Sequence, residues 1–177
     1  GSFGMDITMF KSTKNSFGKK SIELIDSTTS DKLPKMFVNK NYIKKLFGWR
    51  DKKTVVFFLS YLIDGNFPFG HRKNFKDTYS WTKFILSNLA KIKNVNWIIK
   101  DHPITKVYGQ EPKNDFDIII NRLEKKHKHI RRWPKNLNNH SLLGITDVAL
   151  TSSGTVGIEY LAYGIRTCYS ENSSYSN

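Results

Sequence analysis

The chain has 177 residues, which is enough for one domain with a substantial hydrophobic core. Its net charge of +14 favours an acidic partner (nucleotide phosphate, anionic polysaccharide, nucleic acid or anionic membrane surface), although a Lys- and Asn-rich genomic background gives the same bias. The single cysteine, Cys168, excludes an intrachain disulfide and a cysteine-based zinc site, and no apolar run is long enough to span a membrane. These features predict a cytoplasmic protein.

Residues 1–35 are polar and rich in Ser, Thr and Lys, and we interpret them as a tag remnant at Gly1-Ser2 followed by a linker or lead-in. Residues 36–177 are predicted to form one folded domain, and the abrupt end after a strand suggests a fragment of a longer protein. In chain order, the pattern predicts a helix at 38–47, a strand at 54–62, a helix at 77–91, a strand at 95–99, a helix at 115–128, a strand at 129–133, a helical turn at 140–143, a strand at 148–151, a helix at 156–163 and a strand at 166–169.

Strands that alternate with helices of this length predict an α/β class, with a Rossmann-like parallel sheet and helices on both faces. The continuous apolar run at 54–62 is typical of a strand buried on both sides. Cys168 falls in a strand that we interpret as apolar. In such sheets ligands bind beyond the carboxyl ends of the strands. Three loops at these ends carry polar residues, at 64–65, 100–103 and 152–155.

The turn at 152–155, between a predicted strand and a predicted helix, is a candidate phosphate site. Backbone N–H groups at a helix start lack intrahelical partners and attract anions. Ser152, Ser153 and Thr155 add hydroxyl donors, and Gly154 lets the backbone approach a ligand closely. The alternative is that these hydroxyls only cap the helix, because capping and phosphate binding use the same geometry.

Residues 54–176 resemble the C-terminal, donor-binding half of GT-B glycosyltransferases that make bacterial capsules and surface polysaccharides. The matching segments are Trp97-Ile-Ile-Lys-Asp-His-Pro103, residues 145–159 and Tyr163-Gly-Ile-Arg166, together with the helix around 79–81. Kdo transferases and sialyltransferases of this type carry related His-Pro and Ser-Ser or Ser-Thr motifs, which hold the CMP part of the donor. Wall teichoic acid polymerases, which use a CDP donor, have similar elements. The usual Lys-Pro-His-Pro reads Lys-Asp-His-Pro here, so Asp101 places a negative charge beside the expected phosphate.

The resemblance implies that His102 is the catalytic residue, acting on the donor phosphate or leaving group. It also implies a nucleotide and phosphate site at Lys100, His102, Pro103, Ser152, Ser153, Gly154, Thr155 and Glu159, with Glu159 accepting hydrogen bonds from the ribose. Asp64 is a candidate contact to acceptor or donor, although a turn-forming role is the simpler interpretation. The spacing of His127, His129 and His140 and their flanking lysines argue against a metal. No cofactor is expected beyond the donor substrate.

The predicted function is nucleotide-sugar binding in a glycosyltransferase of capsule or lipopolysaccharide biosynthesis, with a CMP-linked rather than a UDP-linked donor. The general base is expected from the other half of the GT-B enzyme, so this chain alone is predicted to be inactive. The acceptor would be an anionic glycan or a lipid-linked chain. The basic cluster at 125–132 is interpreted as a solvated face, turned towards anionic polymer or the inner face of the plasma membrane.

Three alternatives remain open at this point. The first is a CDP-polyol phosphotransferase of the teichoic-acid type. The second is a basic nucleic-acid-binding module, which is disfavoured because no RNA-binding signature occurs and the aromatic residues lie in core-like positions. A UDP-sugar 2-epimerase is suggested by fold analogy alone.

Overall fold

The computed structural model describes residues 35–60, 75–102, 115–152 and 154–170. The predicted lead-in at 1–35 lies outside these residues apart from Lys35. The helices are α1 (Lys40–Phe47), α2 (Thr78–Asn88), α3 (Asp115–Lys126) and α4 (Val156–Ala162), and the strands are β1 (Thr54–Phe58), β2 (Asn96–Lys100), β3 (Ile130–Arg132), β4 (Val148–Thr151) and β5 (Arg166–Tyr169). Short 3-10 helices cover Leu89–Lys91 and Asn139–Gly144.

The described strands form one sheet in the order β3-β2-β1-β4-β5, and every neighbouring pair is parallel. The chain runs outward from β1 to β3 and then returns to place β4 on the other side of β1. The order therefore reverses between β1 and β4, which is the position where doubly wound sheets open a crevice for ligands. The predicted α/β class with a Rossmann-like parallel sheet is confirmed.

Both faces of the sheet are covered, and alternate residues of β1 enter different clusters. Val56 and Phe58 pack with Ile43 of α1 and Tyr160 of α4, together with Leu142 of the second 3-10 helix. On the opposite face, one cluster joins β1 to α2 and α3 through Val55, Phe57, Trp81, Leu86 and Ile120. A strand buried on both sides needs apolar residues at every position, which explains the continuous run. The strand at 166–169 is present as β5, but its interpretation as an apolar strand was wrong, because Cys168 is exposed on it.

Capping residues set several helix ends. Helix α1 begins after Asn39, whose side chain accepts from the Tyr42 N–H, and it ends at Gly48 with φ 64°, where glycine fits a left-handed backbone. Helix α2 begins after Asp77 in a capping box with Ser80. The α-helical part stops at Asn88, and the predicted extension to 91 is the 3-10 turn.

Loss of the capping box is expected to destabilise the domain. The Ser80 N–H donates to Asp77 Oδ1 at 2.7 Å, and the Asp77 N–H donates to Ser80 Oγ at 3.1 Å. Asp77→Ala removes the first bond and should lower the free energy of unfolding by about 1 kcal/mol, measured by urea denaturation. Asp77→Asn keeps an acceptor and should cost much less. Equal losses in the two variants would contradict a capping role.

Candidate functional site

The carboxyl edge of the sheet gathers the strand-end residues predicted as a site. The Leu59 N–H, just after β1, donates to the Lys100 carbonyl at the end of β2, at 2.9 Å. Strand β4 lies on the other side of β1, so its end brings Ser152 to the same edge. The residues directly after β2 and β4, Asp101 and Ser152, therefore flank the end of β1. Asp64, Pro103 and Ser153 lie outside the described residues.

Lys100 and His102 are both half-buried at the end of β2. The Lys100 ammonium donates to the Asp101 carbonyl at 2.8 Å, within its own loop. This bond restrains the loop and keeps the Lys100 charge near its backbone. The contact of Lys100 and His102 with a phosphate stays a prediction.

The Asp101 carboxylate pairs with Arg132, the last residue of β3. Arg132 Nε and Nη2 lie 2.9 and 2.8 Å from Asp101 Oδ1, and Nη2 also pairs with Asp117 of α3. Burial lowers the pKa of Arg132, but the hydrogen bonds and charges of Asp101 and Asp117 together raise it above its ordinary value. The guanidinium therefore stays charged, and it offsets part of the Asp101 charge, because it is shared with Asp117.

Part of the basic cluster at 125–132 is structural, which corrects the interpretation of that segment as a solvated face. Lys125, Lys126 and Lys128 are exposed, whereas Arg131 and Arg132 are half-buried. Arg131 Nη1 donates to the carbonyls of Glu124, His127 and Ile130 at 2.7 to 3.1 Å. This side chain satisfies carbonyl groups between the last turn of α3 and the first residue of β3, and a cation near a helix C-terminus is favourable.

Ser152 is buried at 3% exposure and faces the end of β5. Its Oγ lies 3.2 Å from Ser170 Oγ, and the Ser170 hydroxyl also lies within hydrogen-bonding distance, 3.1 Å, of the Ser152 carbonyl. This pair ties the ends of β4 and β5 together. Ser152 is thus paired with the residue that follows β5 and does not cap α4.

Thr155 and Gly154 complete the described part of the turn. Thr155 is exposed and occupies the cap position of α4 without a side-chain capping hydrogen bond, so its hydroxyl does not cap the helix. An added Cβ at Gly154 would lie 3.1 Å from Thr151 Oγ1, so packing within the turn itself favours glycine there. Glu159 is exposed on α4, one turn further along.

Sequence reasoning missed two residues at this edge. Arg132 lies 31 positions from Asp101, and no local pattern links them. Ser60 follows the end of β1, and its Oγ is buried without a hydrogen-bond partner among the described residues. It lies two residues after β1 ends, but the predicted strand at 54–62 included it, so the sequence pattern did not set it apart.

The histidines near β3 lie apart from this edge. The rings of His127 and His129 are 5.8 Å apart, and burial lowers the pKa of His129, which favours a neutral imidazole. In the ranges that the structure describes, no group of three or more His, Cys, Asp or Glu side chains could hold a metal ion. Within the same ranges, no helix combines the length and apolar character needed to cross a bilayer.

No family model matches the chain, and no curated protein matches it. Among solved structures, the chain is similar to the beta Kdo 2,4 transferase KpsC of Thermosulfurimonas dismutans, at 13% sequence identity and a TM-score of 0.48. The alignment covers 99% of this chain and 48% of that protein, so the chain spans about half of its length. At this level of similarity the comparison assigns no activity to the chain.

Proposed function

We propose that the chain is the nucleotide-sugar-binding domain of a GT-B glycosyltransferase in capsule or lipopolysaccharide biosynthesis, with a CMP-linked donor. One observation carries the proposal: the two motifs of the resemblance flank the end of β1, next to the reversal of strand order. One is the loop at Lys100–His102, and the other is the turn that begins at Ser152. A ligand crevice is expected at this reversal in a doubly wound sheet.

The proposed chemistry places the donor phosphate between these two segments. Transfer breaks the bond between the sugar and the phosphate oxygen, so negative charge grows on the departing nucleotide. His102 and the N–H and hydroxyl groups of the turn would stabilise that charge. The acceptor hydroxyl attacks the sugar carbon and gives its proton to a base on the other half of the enzyme. This chain alone should therefore bind the donor nucleotide without transferring the sugar.

The proposed acceptor is an anionic glycan or a lipid-linked chain at the inner face of the plasma membrane. The net charge of +14 and the exposed Lys125, Lys126 and Lys128 support this proposal. Basic side chains on one surface raise the local concentration of anionic polymers and lipids. The same surface charge predicts weak, salt-dependent binding to unrelated polyanions.

The test is a thermal-shift and calorimetric titration with CMP, CDP, UMP, UDP and GDP. CMP should bind most tightly and raise the melting temperature by mass action. His102→Ala should weaken CMP binding by at least about tenfold, the expected loss for one charge-assisted hydrogen bond. His140→Ala is the matched control, because this histidine lies in the helical segment Asn139–Gly144 and belongs to neither of the two motifs. It should leave CMP affinity unchanged.

Other outcomes would redirect the proposal. A preference for CDP, with turnover of CDP-glycerol by the full-length enzyme, would favour the polyol phosphotransferase. A preference for UDP would change the donor. Indifference to every nucleotide, combined with salt-dependent binding of unrelated RNA, would favour the nucleic-acid-binding module.

A further inference from the structure

Arg132 connects three elements at the edge of the sheet. It is the last residue of β3, its guanidinium holds Asp101 in the loop after β2, and the same group pairs with Asp117 of α3. Its backbone N–H donates to Glu124 Oε1 at 2.7 Å, which fixes the strand end to α3 as well. The Arg132 and Asp101 side chains are only 26% and 23% exposed, so solvent screens this pair less than a surface ion pair.

We propose that Arg132 is a positioning residue for the nucleotide site, which holds the loop containing Lys100 and His102 without contacting the ligand. The inference rests on the proposed function of that loop. Asp101 is held at two points, because its carboxylate binds Arg132 and its carbonyl accepts from the Lys100 ammonium. His102 is the next residue, so its backbone starts from a fixed position.

The physical benefit is preorganisation. A loop that is already ordered loses less conformational entropy when a ligand binds, and donors displaced by about 1 Å lose much of their effect. In the Lys-Pro-His-Pro form a proline would restrict the backbone at position 101. With Asp101 in this position, the ion pair to Arg132 supplies a restraint on the same residue. Arg132 thus links the position of His102 to β3 and α3.

Two measurements test this role on the intact chain. In the absence of nucleotide, NMR records the His102 ring signals, assigned by their loss in His102→Gln. Calorimetry then measures CMP affinity. The variants are Arg132→Gln, Arg132→Lys and Asp117→Asn, which removes the negative charge of the second partner of Arg132 and leaves Asp101 unchanged. Arg131→Gln is the matched control, because it removes a neighbouring arginine that binds only carbonyl groups among the described residues.

We expect Arg132→Gln to shift the His102 signals and weaken CMP binding roughly tenfold, within the range seen for directly coupled residues. Arg132→Lys should recover part of the affinity, since lysine keeps the charge and loses the planar fork. Arg131→Gln should lower stability without moving the His102 signals or the CMP affinity. Asp117→Asn should give a smaller change of the same kind as Arg132→Gln.

The two failures are distinguishable. If the unaltered chain binds no CMP but Arg132→Gln still shifts the His102 signals, the proposed function is wrong and the positioning role stands. If folded Arg132→Gln binds CMP like the unaltered chain, or leaves the His102 signals in place, the positioning role is wrong. Equal effects of Arg131→Gln and Arg132→Gln would also overturn it, because general destabilisation would then account for both.

Discussion

Gly157→Ala is expected to destabilise the domain by about 2 kcal/mol, because the added methyl group overpacks a closed contact. A Cβ at Gly157 in α4 would lie 2.3 Å from the Tyr169 hydroxyl oxygen and 2.5 Å from two of its ring carbons. That hydroxyl oxygen is buried, so the Tyr169 side chain must leave its packed position on β5. Helix propensity alone predicts the opposite sign, a gain of up to about 1 kcal/mol for alanine. Denaturant unfolding measures the difference.

Gly144→Ala is the matched control, since among the described residues no atom beyond its chain neighbours lies within 4 Å of an added Cβ there, and its φ is not positive. It should change stability little. Tyr169→Leu removes the ring that an added methyl group would meet. Gly157→Ala should therefore cost less stability when it is added to Tyr169→Leu than when it is made in the unaltered chain. A stabilising effect of Gly157→Ala would show that α4 does not pack this closely on β5. The contact matters for the site because Gly157 lies three residues after Gly154, and the Gly157 N–H donates to the Gly154 carbonyl at 3.0 Å.

The fold was predictable because its signals are local. Apolar runs marked β1 and β2, Asp77 marked the start of α2, and Gly48 marked the end of α1. Strand β1 is shorter than the predicted 54–62, since Leu59 and Ser60 leave the strand after Phe58. Apolar character alone does not show where strand pairing stops, because the residues that follow the strand, Leu59 and Ser60, are still half-buried.

For the candidate site, the sequence predicted only that its residues lie at one edge of the sheet. Strand-end loops meet at one edge of any parallel sheet, so Lys100, His102 and Ser152 could be placed together from topology. Their partners could not be placed, because the pairs are far apart in the chain. Ser152 binds Ser170, which is 18 positions away, and Asp101 binds Arg132, which is 31 positions away. Such pairing depends on the order of strands, which charge and hydropathy patterns do not encode.

Asp147→Ala is expected to cost about 3 kcal/mol of unfolding free energy, since it leaves a buried N–H without its acceptor and removes two ion pairs. Asp147 lies just before β4 and is 18% exposed. Its Oδ2 accepts from the Thr54 N–H at 2.8 Å and from Lys40 Nζ at 2.9 Å, and Oδ1 accepts from Lys53 at 3.1 Å. The Asp147 N–H also donates to the Thr54 carbonyl, so this residue joins the starts of β1 and β4.

Asp147→Asn keeps an acceptor for the Thr54 N–H and should lose about half as much stability, because only the charged contribution disappears. Asp51→Asn is the control, since Asp51 pairs with Lys44 at 2.7 Å but its carboxylate is 85% exposed. Such a pair is screened by water, and no measurable change is expected. Asparagine and alanine variants of equal stability would contradict the role given to the Thr54 hydrogen bond.

The Asp147 contribution should also depend on pH. Burial raises the pKa of Asp147, but the Thr54 N–H, Lys40 and Lys53 together lower it below its ordinary value of 3.8. The folded state therefore binds the proton less readily than the unfolded state. The stabilisation is complete above pH 3.8, the ordinary pKa, and it is lost as pH falls through the lower pKa of the folded state. The stability difference between the unaltered chain and Asp147→Asn should shrink steadily in acid. A difference that stays constant from pH 7 to about pH 2 would show that the charge of Asp147 does not stabilise the sheet.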